Sequence, residues 1–438
     1  MFFTGLGILL CSVIFFVRFY IDGKSRETEI SRKKLENRMK KLFSIMLGRC
    51  FALAFLLFFS GKSFAENDNY TRAADTFKAI EKLYGVEDVP LFRETYPFDN
   101  HLKVSYLSNQ EQAEQQKLYS YLWPFSGSLS AVTALLEVKP KSDFRKVLTK
   151  TVRPGLEMYL DTRRTPTAYA SYINTAPVSD RFYDDNIWIG LDFTDLYLLT
   201  GKKEYLSQAK MVWRFIESGT DDKLGYGIYW CEQKKNGKNT CSNAPGSVYA
   251  SKLFLATGDS SYLQAGIRLY EWTKENLQDP ADGLYFDNKS LNGEIGRAKF
   301  AYNSGQMMQS AALLYRITGE KKYLQDAQRL AAACYNRFFS HDLQSGRKYK
   351  VLNRGDVWFT AIMFRGFVEL YGIDHNSLYI DAFRENLDFA WTEMREKNGL
   401  FNDDWSGKTK NDSKWLLTQF AMVEMYARLA AIDKENNR

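Results

Sequence analysis

The sequence predicts an all-α fold: an (α/α)6 toroid of six helical hairpins, with short β-hairpin loops on one rim. Three observations predict it. A Thr-Gly turn recurs at a regular interval, apolar residues keep helical spacing through most of the chain, and charge-poor helices alternate with charged ones. An open solenoid of the same hairpins satisfies these observations equally.

The turn recurs in LLTGKKEYL, LATGDSSYL and RITGEKKYL, placing Thr200, Thr257 and Thr318 at intervals of 57 and 61 residues. Glycine after a helix takes the left-handed conformation that ends it, and the following residues open the next helix. Apolar spacing at i, i+3, i+4 and i+7 then gives helices over 70–83, 126–138, 143–163, 186–200, 203–219 and 243–257. The remaining six span 260–277, 303–318, 321–338, 357–371, 376–392 and 412–431. Twelve helices make six pairs, and 373 residues beyond a 65-residue leader divide into units of about 62.

Every second helix is poor in charge (NIWIGLDFTDLYLL, NSGQMMQSAALLY, VWFTAIMFRGFVEL), whereas its partner carries Lys, Glu and Arg stripes. That contrast predicts an inner ring and an outer ring. Long connections rich in aromatic residues and glycine precede the inner helices, and the turns after them are short. The long loops therefore share one rim, the place where binding and catalytic groups are expected.

The 438 residues hold 59 Lys plus Arg against 52 Asp plus Glu, but the surplus of seven lies in the first 65. Residues 66–438 carry 48 of each sign, so no basic surface for nucleic acid is predicted. A hydrophobic content of 45% with 25% charged residues excludes a disordered or fibrous chain. Residues 66–438 are expected to form a single domain. Aromatic residues reach 15%, enough to supply flat apolar platforms in addition to core packing.

Residues 1–65 read as a leader. Lys40, Lys41 and Arg49 precede the apolar run from Cys50 to Phe59, and Ser63-Phe64-Ala65 offers a signal-peptidase site before Glu66. Met39 or Met46 opens a signal of ordinary length, which makes 1–38 the product of a mis-assigned start; the alternative is an N-terminal anchor. Arg49 departs from the small residue that a lipoprotein signal needs before Cys50. The expectation is an exported monomer, periplasmic, cell-surface or secreted, without stable membrane association after signal cleavage.

Export permits a disulfide. Cys231 and Cys241 flank the polar stretch EQKKNGKNT, read as a hairpin tip that a bridge would close, while Cys334 in RLAAACYNRFF reads as a buried free thiol. Only His101, His341 and His375 are present, none in a metal-binding arrangement, so neither a metal nor a cofactor is expected. Phosphate-binding loops and serine-nucleophile elbows are absent from the sequence.

Carboxylates remain. Asp184-Asp185, Asp221-Asp222 and Asp403-Asp404 are adjacent pairs, and the first opens an inner helix on the long-loop rim in RFYDDNIW. Two close carboxylates suppress each other's ionisation, which separates an acid from a nucleophile as glycoside hydrolysis requires. The competing reading is that aspartates at a helix start cap its free N–H groups. Asp221-Asp222 read as turn residues.

The segment YDDNIWIGLDFTDLYLLTGKKEYL resembles the signature of glycoside hydrolase family 76, the α-1,6-mannanases. LWPFSGSLSAVTALLE, DDKLGYGIYW, KNTCSNAP, FAYNSGQ and VWFTAIMFRGFVEL resemble further family segments in the family's order, over about Ala73 to Ala430. The resemblance implies an (α/α)6 fold and a retaining double displacement on α-1,6-linked mannan or mannooligosaccharide, with Asp184 as nucleophile and Asp185 as general acid/base. Around that pair, Asn186, Trp188, Asn243, Tyr302, Asn303, Trp358, Phe359, Asp404 and Trp405 are expected to line a sugar cleft. Tyr226 stands where the family often has a small residue. A transglycosylase of the same family, a glycan-binding protein without turnover, and another (α/α)6 enzyme such as an epimerase or lyase are the alternatives.

Overall fold

The computed structural model describes residues 68–437 apart from 109–110, 112–115 and 343–345, so the leader lies outside the described residues. Among the described residues the chain forms twelve helical rods. The inner six are α2 (Leu122–Val138), α5 (Tyr183–Thr200), α7 (Thr240–Thr257), α9 (Ala301–Thr318), α11 (Val357–Asp374) and α13 (Leu416–Asn436). Each packs on the next, and α13 packs on α2, so the ring is closed and the open solenoid is excluded.

The outer rods are α1 (Asn69–Tyr84), α6 (Lys203–Glu217), α8 (Ser260–Leu277), α10 (Lys321–Phe338), and two rods that contain a π-helical turn. One comprises α3 (Phe144–Val147), the turn Leu148–Val152 and α4 (Arg153–Glu157). The other is α12 (Leu378–Phe389) followed by Ala390–Met394. The expected helix 143–163 thus ends early, beyond Pro154, and the chain turns into a short strand at Leu160–Asp161. Outer rods lean on the inner helix before them, and α1 leans on α13. Asn69 Nδ2 donates to Asp433 Oδ2 at 2.9 Å across that seam.

The Thr-Gly turns are built alike. Thr200, Thr257 and Thr318 return their hydroxyls to Leu196, Leu253 and Leu314 carbonyls at 2.6, 2.7 and 2.8 Å. Gly201, Gly258 and Gly319 follow at φ 69°, 72° and 73°, the left-handed region in which a side chain is strained. After α11 the same conformation is held by His375 at φ 54°, which is why no Thr-Gly marks that turn.

Inner helices are buried nearly all round, and their backbones meet closely. A Cβ on Gly305 of α9 would lie 2.4 Å from Met363 Cα of α11. Inside the ring Arg365 holds Glu424 through two hydrogen bonds of 2.6 and 2.8 Å, and Arg428 reaches the same carboxylate at 2.7 Å. Burying an ion pair is costly, a cost that these hydrogen bonds and the mutual attraction offset.

The long connections carry short antiparallel strands, as expected. β4 (Leu160–Asp161) pairs with β5 (Ala168–Tyr169), and β10 (Phe339–His341) with β11 (Lys350–Leu352). A four-stranded sheet joins β6 (Tyr229–Cys231), β7 (Lys234–Asn239), β8 (Asn288–Ser290) and β9 (Ile295–Gly296). β1 (Gly85–Val86) and β2 (Val89–Phe92) form a hairpin, and β3 (Thr95–Tyr96) pairs with β12 (Lys414–Trp415), joining the two ends of the ring.

The expected Cys231–Cys241 bridge is not formed; both thiols are free and buried, as is Cys334. Cys231 lies on β6 with its sulfur near Ser108 Oγ at 3.6 Å and Gln233 Oε1 at 3.7 Å. Cys241 is not across the hairpin from it, because the strand ends at Asn239 and Cys241 is already in the first turn of α7. Cys231 instead faces Lys234 in the strand register.

Candidate active site

One position of the inner helices faces a common cavity. The second residue of α2, α5, α7, α9 and α11 is Trp123, Asp184, Cys241, Tyr302 and Trp358, and all five line a cavity of 570 Å³ on the long-loop rim. Asp185 and Phe359, the third residues of α5 and α11, line it too. Trp188, one turn below Asp184, closes the floor against Trp358, with the two rings perpendicular and their centroids 5.1 Å apart.

The fourth position does something else. A helix turns about 200° over two residues, so a side chain at the fourth position points away from the cavity and toward the incoming loop. Asn186 accepts from Tyr169 N–H at 2.8 Å and donates to the Tyr169 and Phe182 carbonyls at 2.9 and 2.8 Å. Asn243 does the same with Ile228 N–H at 2.7 Å and the Ile228 and Asn239 carbonyls at 2.9 and 2.8 Å. Ser304 and Gln419 accept from Tyr285 and Phe401 N–H at 3.0 and 2.7 Å. These residues clamp the loops before α5, α7, α9 and α13.

Asn186 and Asn243 are therefore corrected from sugar ligands to loop anchors, since every polar atom of their buried amides is already bonded to backbone. Asn303 sits one layer behind the cavity and reaches it through Asp287, donating to Oδ1 at 3.3 Å. Asp404 is also corrected. Its carboxylate accepts from Ser406 and Thr409 N–H at 2.9 Å each; burial pushes its pKa up, but hydrogen bonds from the side chains and then the backbone of Ser406 and Thr409 outweigh that and bring it to about 2. Trp405 is 1% exposed, part of the hydrophobic core and outside the cavity lining. Asp221 takes the Tyr229 hydroxyl at 2.7 Å and Lys238 Nζ at 3.0 Å, the turn role expected of it. Tyr226 lies under Arg268, outside the cavity lining.

The aspartate pair occupies the first turn of α5, where the helix dipole favours negative charge. Asp184 Oδ2 accepts from Trp230 Nε1 at 3.2 Å. Burial pushes the Asp184 pKa up to about 7, opposed by the Cys241 thiol, the first-turn N–H groups and the Trp230 indole. Asp185 is raised well above the usual carboxylate range by burial and then by the Asp184 charge. The pair thus retains protons where free carboxyls have lost theirs, with Asp184 the more readily ionised member.

Aromatic rings form the walls. Tyr302 stacks on Phe359 at 4.1 Å and 22°, and Trp123 bridges Trp358 at 5.2 Å and Tyr106 at 5.1 Å. Sequence reasoning missed Trp123, Tyr106, Trp230 and Asp287 as lining residues. For Trp230 a signal existed: strand alternation buries Tyr229 and Cys231 and leaves the residue between them facing the cavity. Asp287 adds a third carboxylate, raised by burial and bonded by Asn288 and Asn303.

The fold has known counterparts. A family 76 glycoside hydrolase (mannosidase) from Bacteroides thetaiotaomicron superposes with a TM-score of 0.75 at 34% identity, covering 84% of this chain and 99% of that one. The α-1,6-mannanase of Salegentibacter sp. HEL1_6 superposes with a TM-score of 0.66 at 25% identity, covering 83% and 99%. Among curated proteins, a mannan endo-1,6-alpha-mannosidase of Candida glabrata is 29% identical over 123 residues, 26% of this chain and 28% of that protein. A meiotically up-regulated protein of Schizosaccharomyces pombe is 30% identical over 168 residues, 34% of this chain and 37% of its own. The alignments thus span about a third of these curated relatives. The model of glycosyl hydrolase family 76 matches residues 97–437, which include the whole inner ring and the aspartate pair, and the chain belongs to that family.

Proposed function

We propose that the protein is a retaining glycoside hydrolase that cleaves α-1,6-mannosidic linkages in mannan backbones or oligosaccharides. The observation that carries this reading is the adjacent pair Asp184-Asp185 in the first turn of α5, opening into an aromatic-walled cavity and made unequal by the Trp230 contact. Likeness to α-1,6-mannanases supports the choice of substrate.

In the first step the Asp184 carboxylate attacks the anomeric carbon while Asp185 gives its proton to the departing O6. The C1–O6 bond breaks and a β-linked mannosyl ester forms on Asp184. In the second step Asp185, now ionised, takes a proton from water as the water oxygen attacks C1. Asp184 leaves, and the α configuration is restored. Neither step needs a cofactor. Burial supports both roles, because it favours the protonated form of Asp185 while Asp184 has a donor to stabilise its charge. The rings of Tyr302, Phe359 and Trp188 offer faces for the C–H side of mannose. We further place the enzyme outside the cytoplasm as one catalytic domain over 66–438, on the character of the leader.

The test is release of reducing ends from linear α-1,6-mannan and α-1,6-mannotetraose by residues 66–438, with Asp184→Asn and Asp185→Asn alongside. Cleavage by the parent and near-complete loss in both variants is the expected result, and product lengths tell endo from exo action. Binding of mannan without cleavage would make the protein a glycan-binding module. An added mannoside that becomes the acceptor in place of water would make it a transglycosylase.

A further inference from the structure

Glu94 lies between β2 and β3, before the region matched by the family model, and no step of the proposed reaction uses it. It is 5% exposed, yet its carboxylate accepts three hydrogen bonds. The Tyr106 hydroxyl and the Trp415 indole Nε1 donate to Oε1 at 2.7 and 2.6 Å, and Tyr121 N–H donates to Oε2 at 2.9 Å. Its own carbonyl accepts from Leu416 N–H, at the start of α13, at 3.0 Å.

The donors reach Glu94 from three separate segments, and all three bear on the cavity. Tyr106 and Tyr121 line it directly. Trp415 backs Trp123, with ring centroids 5.2 Å apart at 79°, and Trp123 lines it. Tyr106 in turn meets Trp123 edge-on at 5.1 Å and lines the same cavity as Asp185. An apolar residue at position 94 would fill space but fix no ring orientation. A buried carboxylate is tolerated only with directional partners, and those partners here are the aromatic wall beside the aspartate pair.

We propose that Glu94 is a positioning residue for substrate: it holds Tyr106 directly, and Trp123 through Trp415, in the orientation that seats a sugar ring beside Asp185. The functional part of this proposal rests on the hydrolase reading. The wall it describes does not.

The experiment compares the full chain with Glu94→Gln and Glu94→Ala, reading kcat and KM on α-1,6-mannotetraose, thermal unfolding, far-UV and near-UV circular dichroism, and acrylamide quenching of tryptophan. Glutamine keeps one acceptor and alanine keeps none. KM is expected to rise about threefold in the first and about tenfold in the second, with kcat within about threefold of the parent. Near-UV ellipticity and quenching should change in the same order while far-UV ellipticity stays constant. A lowered melting temperature with unchanged KM would overturn the proposal, leaving a residue that only closes the ring. Unchanged near-UV and quenching signals would overturn it as well, whatever KM does. If the parent leaves mannotetraose uncut, the substrate reading fails, and the ring signals alone decide whether Glu94 organises the wall.

Discussion

The Trp230 indole donates to Asp184 at 3.2 Å, so the two neighbouring carboxyls stand in different surroundings: Asp184 has a donor opposing burial, whereas burial and the adjacent charge both push Asp185 upward. Trp230→Phe keeps most of the ring and removes the donor. With the carboxylate less stabilised, the Asp184 pKa rises further and a larger share of the enzyme is protonated at neutral pH. A hydrogen bond to a charged group contributes about 1.5–3 kcal/mol, so kcat/KM on mannotetraose is expected to fall about tenfold or more. The acid limb of the pH–rate profile should move to higher pH.

The same pair makes stability fall as pH rises. Both folded pKa values lie above the unfolded value near 3.8, so between about pH 4 and 7 the native state holds protons that the unfolded state has lost. The slope of unfolding free energy with pH is then negative, and the stability present below the unfolded pKa disappears as pH passes the folded ones. Asp184→Asn and Asp185→Asn remove that loss. Each variant should melt about 2 °C or more above the parent at pH 8 and match it at pH 4, by calorimetry.

Asn186 separates loop anchoring from sugar binding. Asn186→Ala leaves Tyr169 N–H and two carbonyls without their partner, a cost of about 2–3 kcal/mol in denaturant unfolding. The amide points away from the cavity, so KM measured well below the melting point should stay within about twofold of the parent. A large rise in KM with unchanged stability would return Asn186 to the sugar site.

Glu424 is 1% exposed and answers two arginines, Arg365 and Arg428, inside the ring. Glu424→Met strands Arg365 and leaves Arg428 with Glu137 alone at 3.8 Å, and breaking a buried pair of this kind costs about 3–5 kcal/mol. Urea unfolding should show the loss in midpoint without a change in slope.

Helix existence was legible because the inner helices are apolar all round and the outer ones striped, and the Thr-Gly turns punctuate them. Helix starts were less legible, and the misassigned site residues follow from that. Reading α5 as starting at Asn186 and α7 at Asn243 put both amides at the mouth of the ring. The helices start at Tyr183 and Thr240, and those three residues rotate Asn186 and Asn243 to the loop side while bringing Asp184 and Cys241 to the cavity. The early starts lack a side-chain N-cap, the signal that ordinarily marks them; extended backbone at Phe182 and Asn239 leads into them instead. Tyr302, Trp358 and Phe359 were legible because the starts of α9 and α11 were read within two residues. Asp404 misled through composition alone: an acidic pair beside tryptophan looks the same whether its carboxylate meets a sugar or two backbone N–H groups. Closure of the ring was not readable from repeats, since the Asn69–Asp433 and β3–β12 contacts join segments more than 300 residues apart.

That seam sets an order on biosynthesis. A polypeptide emerges from the ribosome N-terminus first, and contacts between distant segments wait for the later one. Five inner helices, including the one bearing both aspartates, are complete before Trp415 and α13 exist. The aromatic wall anchored on Glu94 is not, since it needs the strand and indole supplied by the final stretch of chain. A nascent molecule therefore carries its paired carboxyls early but completes the aromatic wall beside them only when translation has passed Trp415 and α13.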